Sequence, residues 1–188
     1  TAPVIPVIAI QKLEHAVPLA EALVAGGITN LEVTLRTQHG LKAITLIRDQ
    51  VKGANVGVGT VCNATEFDSA VDAGANFVVS PGQSDALFDR ALLTNIPFLP
   101  GAVTATEVMA SKEAGFNVLK FFPASTSGGA AAIKAFAGPF ADLQFVPTGG
   151  INLDNAGSYL SLSNVRAVGG SWLTPADAIE NGQWENIT

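Results

Sequence analysis

The chain is poor in the residues that metal and redox chemistry favour. Its 188 residues include one cysteine, Cys62, and two histidines, His15 and His39. A lone thiol excludes an internal disulfide framework and fits a reducing, cytoplasmic setting. The histidines fall in different helical segments without carboxylate or thiol partners at ligand spacing. No metal is therefore expected, and both read as positions on helix surfaces. Charge is also scarce, at 14% of residues, and its balance is acidic, with a formal net charge of −6. Nucleic acid is excluded as a partner, because binding phosphate backbones needs a basic face. No apolar run approaches the roughly 20 residues of a membrane span, so no membrane partner is expected. The opening TAPVIPVIAI has neither the basic start nor the small-residue cleavage site of a secretory leader.

Apolar material is abundant, at 48% of residues, and 19 glycines accompany it. That composition excludes disorder and supplies a large core for one domain over residues 1–188. Eight short apolar, β-branched runs read as strands: 4–10, 30–36, 55–61, 77–82, 98–102, 118–124, 144–150 and 165–171. None alternates cleanly, as expected of parallel strands covered on both faces. Between them lie helical patterns such as LEHAVPLAEALVAGG (13–27), TEFDSAVDAG (65–74) and TATEVMASKEAG (104–115), each ending at a glycine. The strand-to-strand repeat is about 20–26 residues, room for little beyond one strand and one helix. An open doubly wound sheet is the rival arrangement. Eight units without a linker favour an α/β fold of the (β/α)₈ barrel type. Only WLTPADAIENGQWENIT follows Ser171, so the terminal helices are expected to be truncated or missing, leaving apolar surface at the barrel end.

Chemistry in such barrels gathers at the C-terminal ends of the strands. On the second strand Glu32, Thr34 and Arg36 share a face, as do Val118, Lys120 and Phe122 on the sixth. Lys120 stands in the apolar run NVLKFFPAS (117–125), an uneconomical place for an ammonium that serves only stability. If both polar sets point inward, a carboxylate, a guanidinium and an amine converge at the barrel mouth. Such a group carries a desolvation cost unless its members are paired, which marks it as a functional candidate. An apolar setting also favours the uncharged amine that a nucleophilic lysine requires.

Glycines supply the second signal. GVGTV (57–61), PTGGI (147–151) and VGGS (168–171) end the third, seventh and eighth strands. Glycine pairs let backbone approach a ligand closely, and a helix start beyond them favours an anion. Thr148 and Ser171 beside the last two pairs point to a phosphate cradle, whereas the GxxxxGK[ST] pattern of nucleotide P-loops is absent. Cys62 reads as a small packed residue next to a helix cap at Asn63.

With these residues placed, the sequence resembles the 2-dehydro-3-deoxy-6-phosphogluconate (KDPG) and 4-hydroxy-2-oxoglutarate (KHG) aldolase family. LEVTLRT, VGVGTV, VVSPG, LPGAVT, LKFFPA, VPTGGI and VGGSWLTPADA carry the resemblance along nearly the whole chain. It implies a cofactor-free class I aldolase, a cytoplasmic homotrimer acting in the Entner–Doudoroff pathway on a phosphorylated 2-oxo acid. By the same resemblance Lys120 forms the Schiff base and Glu32 transfers protons. Arg36 and Thr60 hold the substrate carboxylate, and Pro81 and Phe122 line the pocket. Thr148, Gly149, Gly150, Gly170 and Ser171 lie near the hydroxyls and phosphate. Two positions depart from the pattern: Val146 where many members have cysteine, and Ser125 where others have glutamate. A 2-dehydro-3-deoxy-6-phosphogalactonate aldolase and a non-catalytic oligomeric barrel binding sugar-acid phosphates remain as alternatives.

Overall fold

Eight parallel strands alternate with eight helices in a computed structural model that describes residues 2–188. In order these are β1 (Val4–Ile8), α1 (Ala16–Ala25), β2 (Asn30–Thr34), α2 (Gly40–Gln50), β3 (Asn55–Gly59) and α3 (Ala64–Asp72). Then come β4 (Val78–Val79), α4 (Asp85–Thr94), β5 (Phe98–Leu99), α5 (Ala105–Glu113), β6 (Val118–Phe121) and α6 (Gly129–Phe136). The last units are β7 (Gln144–Pro147), α7 (Leu153–Leu160), β8 (Val168–Gly170) and α8 (Ala176–Glu180). Each expected run forms a strand, but the ladders are shorter than the runs. β4 and β5 pair over two residues each.

The strands close into a ring. One sheet runs β5-β4-β3-β2-β1-β8, and β6 pairs with β7. Single parallel bridges, Gly101 with Lys120 and Thr148 with Gly169, join the two sets. At the first junction the Lys120 N–H donates to Pro100 O and Lys120 O accepts from Ala102 N, both at 2.8 Å. The barrel is therefore closed rather than an open doubly wound sheet.

Side-chain alternation divides the barrel's outside from its inside. On β2, Leu31 and Val33 face the helices, and on β6, Leu119 and Phe121 do the same; all four are fully buried. Two apolar layers result. One packs β1 to β5 on α1 to α4 around Leu19, Ile44 and Phe67. The other packs β6 to β8 on α6 and α7 around Phe121, Ile133 and Phe145, with Phe116 bordering both. Phe145 stacks on Phe136 at 5.7 Å and meets Phe121 edge-on at 6.3 Å, geometries that suit the ring quadrupoles. The residues between these, Glu32 and Lys120 among them, are left to face the interior. Beyond Asn55, which donates to Asn30 at 2.8 Å, β3 adds almost nothing there: Gly57 and Gly59 face inward, and the Phe77 ring occupies the space beside Gly57.

Helix starts follow local chemistry. Asn63 caps α3 by accepting from Glu66 N at 2.9 Å. Thr104 and Glu107 form a reciprocal capping box on α5, satisfying donors that an α-helix otherwise leaves open. At the barrel end, α8 spans five residues and is followed by a 3₁₀ turn, Trp184–Asn186. Among the described residues no helix precedes β1.

Candidate active site

Lys120 and Glu32 meet inside the barrel. Lys120 Nζ donates to Glu32 Oε1 at 3.0 Å, and both side chains are 3% exposed. The strand pattern brings them there: each is the inward residue between two outward apolar ones, and β1 to β3 on one side and β6 on the other place them opposite each other. The same nitrogen lies 5.4 Å from the centre of the Phe122 ring, within the range of a cation–π contact when charged. No buried side-chain nitrogen or oxygen lacks a partner among the described residues.

Arg36 does not join this pair. β2 ends at Thr34, so Arg36 lies in the following turn, exposed at the mouth. Its Nε donates to Thr60 Oγ1 at 3.1 Å. The turn is fixed on both sides of Arg36, because Thr34 Oγ1 donates to Ile8 O at 2.9 Å and Thr37 Oγ1 to Ile10 O at 2.7 Å. The inward hydroxyl of Thr34 is thus spent on the β1 backbone. Thr60 has φ 65°, a left-handed conformation that is costly for a β-branched residue. The loop beyond it is held by Cys62 N donating to Glu66 Oε2 at 2.6 Å.

A cavity of about 100 Å³ opens between Arg36, Phe122, Thr148, Gly149, Gly150, Gly170 and Ser171, with Val7 and Ile151 completing its wall. The glycines of PTGGI turn the chain sharply, with φ 98° at Gly149 and 73° at Gly150, values open chiefly to glycine. Phe122 ring carbons would lie 3.3 Å from a side chain at 149, and the Ser125 side chain would collide with one at 150. The Asn152 side chain caps α7 by accepting from Asp154 N and Asn155 N. A second cavity, about 420 Å³, shares Val7, Arg36 and Ser171 and extends over His15, Thr174 and α8. Pro81 stands apart from both cavities, half-buried beyond β4 with its carbonyl against Gly101.

Two sequence expectations are corrected. His15 is not a surface residue; it lies in a 3₁₀ turn before α1 and packs edge-on against Trp184, ring centres 5.7 Å apart. Cys62 is exposed rather than packed. Partial burial pushes its thiol up, and the Glu66 charge adds to this, the opposite of an activated nucleophile. Sequence reasoning also passed over Val7 and Ile151 as cavity walls. The period of two along β1 was the available signal for Val7.

The family model described as KDPG and KHG aldolase matches residues 1–188. A 2-dehydro-3-deoxy-phosphogluconate aldolase of Dickeya dadantii is 50% identical over 186 residues, 99% of this chain and 87% of that protein. The KHG/KDPG aldolase of Escherichia coli K12 is 49% identical over 188 residues, 100% of this chain and 88% of that one. KDPG aldolase from Legionella pneumophila, crystallised with pyruvate captured at low pH as a covalent carbinolamine intermediate, superposes with a TM-score of 0.97. It is 47% identical, covering 99% of this chain and 90% of that chain.

Proposed function

Because the chain belongs to the KDPG and KHG aldolase family, we propose that it cleaves 2-dehydro-3-deoxy-6-phospho-D-gluconate by a Schiff-base mechanism. The products are pyruvate and D-glyceraldehyde 3-phosphate, and 4-hydroxy-2-oxoglutarate is a second substrate, cleaved to pyruvate and glyoxylate. The buried contact of Lys120 with Glu32 carries the reading. A non-catalytic barrel has no use for such a pair, since burying two charges costs more than well-packed apolar residues in their place.

Breaking a carbon–carbon bond needs a place for two electrons, and a protonated imine holds them far better than a ketone. Lys120 supplies the nitrogen. It gives a proton to the carboxylate 3.0 Å away and attacks C2 of the 2-oxo acid, forming a carbinolamine. Glu32 returns the proton to the departing hydroxyl, water leaves, and the Schiff base remains. Glu32 then takes the C4 hydroxyl proton. The C3–C4 electron pair moves to the imine nitrogen, releasing the aldehyde and leaving an enamine. Protonation at C3 and hydrolysis of the imine free pyruvate and restore the amine.

Arg36 and Thr60, joined at 3.1 Å at the mouth, receive the substrate carboxylate. Phe122 forms the wall beside Lys120, whereas Pro81, assigned to the pocket by the family resemblance, borders neither cavity. Thr148, Gly149, Gly150, Gly170 and Ser171 receive the hydroxyls and phosphate; they line one small cavity, which supports that assignment. We further place the enzyme in the cytoplasm as a homotrimer. Exposed Leu92, Leu93 and Met109 offer apolar surface for a partner copy, and light scattering measures the assembly directly.

The test is borohydride reduction in the presence of pyruvate. A stable adduct on Lys120, together with pyruvate release from KDPG in a coupled assay, supports the mechanism; no adduct on Lys120 refutes it. Running the galactonate epimer beside KDPG fixes which sugar acid is preferred.

A further inference from the structure

We propose that Gly59 is a positioning residue, whose missing side chain leaves the space in which Glu32 holds its carboxylate against Lys120. The proposal rests on the reading of Lys120 and Glu32 given above. Gly59 ends β3, is buried, and pairs in register with Thr34. It is not among the glycines of positive φ, so the backbone does not require glycine there. The requirement is steric. A β-carbon at position 59 would stand 2.7 Å from Glu32 Cγ and 2.8 Å from Cδ, and closer still to Oε1. These three nearest atoms all belong to Glu32.

Glu32 has no second anchor. Among the described residues its carboxylate accepts only from Lys120. The carboxylate occupies the space that a β-carbon at position 59 would take. Gly57, two residues earlier, also inward and in register with Glu32, makes the comparison useful: the three nearest atoms a side chain there would meet all belong to the Phe77 ring. Crowding the same strand at the two positions therefore has different consequences.

The experiment compares Gly59→Ala, Glu32→Asp, the double variant and Gly57→Ala, reading kcat, KM and the fraction trapped by borohydride with pyruvate. Gly59→Ala is expected to lower kcat about 10²-fold, the scale of a displacement near 1 Å, with KM changed less than about threefold. Asp is one methylene shorter and draws the carboxylate back from position 59. The alanine is thus expected to cost far less in the Glu32→Asp background, a non-additivity that general destabilisation does not produce. The proposal is overturned if Gly59→Ala keeps kcat within about twofold, if its factor is the same in both backgrounds, or if Gly57→Ala lowers kcat equally. Should Gly59→Ala fail to fold, Glu32→Ala in the same chain must restore folding, and failure to do so overturns it as well. A wild type that traps no pyruvate refutes the aldolase reading itself and this proposal with it, a result distinct from all the others.

Discussion

Lys120 and Glu32 are 88 residues apart in the chain and 3.0 Å apart in the barrel. The two strands that carry them are not neighbours in the ring, so the contact crosses the interior. Replacing Lys120 with Ala removes the only amine at that point. The variant is expected to form no borohydride-stable adduct and to release no pyruvate above background. Glu32→Gln keeps the shape but not the proton acceptor, and kcat is expected to fall roughly 10²- to 10⁴-fold. A chelator is expected to leave wild-type turnover unchanged, since the imine is the electron sink.

Arg36 lies outside the buried pair and bonds Thr60. Arg36→Ala should therefore spare the chemistry and weaken the grip on the carboxylate. Loss of a hydrogen bond to a charged group is worth about 1.5–3 kcal/mol. KM for both 2-oxo acids should rise by about one to two orders of magnitude, with kcat much less affected. A kcat loss that matches the KM change would contradict this.

Ser171 borders the small cavity together with Gly149 and Gly150. If that cavity holds phosphate, Ser171→Ala separates the two substrates. KM for KDPG should rise about tenfold, while KM for KHG, which has no phosphate, should stay within about twofold. Equal effects on both would remove the phosphate from this cavity.

Glu107 links acid stability to the start of α5. Partial burial pushes its carboxyl up, but hydrogen bonds from Val103 N–H, Thr104 N–H and the Thr104 hydroxyl outweigh this and hold it below the usual range. A carboxyl lowered by folding stabilises the native state above its unfolded value, and that contribution disappears as pH falls through the folded value. Glu107→Gln keeps an acceptor for the capping box but loses the charge, and should therefore cost stability at neutral pH, about 0.3–1 kcal/mol on the scale of a carboxylate at a helix N-terminus. The wild type and variant should converge as pH falls below the carboxylate range. Denaturant midpoints across pH 2–7, spanning the carboxylate values, measure it.

The apolar runs made the eight strands visible, because a strand covered on both faces must be apolar nearly throughout. The same feature blurred their ends. Apolar character continues past Thr34, Pro147 and Gly170, whereas the ladders stop there; Arg36, Gly150 and Ser171 belong to turns. Period-two alternation placed Glu32 and Lys120 inward without knowledge of which strands lie opposite. Exposure at loops was not legible. Trp184, from the far end of the chain, covers His15, while Cys62 lies in an exposed loop. The glycines of β3 read as ligand contacts, but Gly57 makes room for Phe77. Only the folded barrel reveals which neighbour fills a missing side chain.

Thr60 sets folding against binding. Its left-handed backbone, φ 65°, costs a β-branched residue on the order of 1–2 kcal/mol that glycine would avoid. Thr60→Gly should then melt at a higher temperature than the parent and bind 2-oxo acids less well, having lost the hydroxyl that meets Arg36. A chain selected for robustness alone would drift toward glycine at this position. The threonine makes the loop a sensor of selection, and relaxed demand for turnover should register there first.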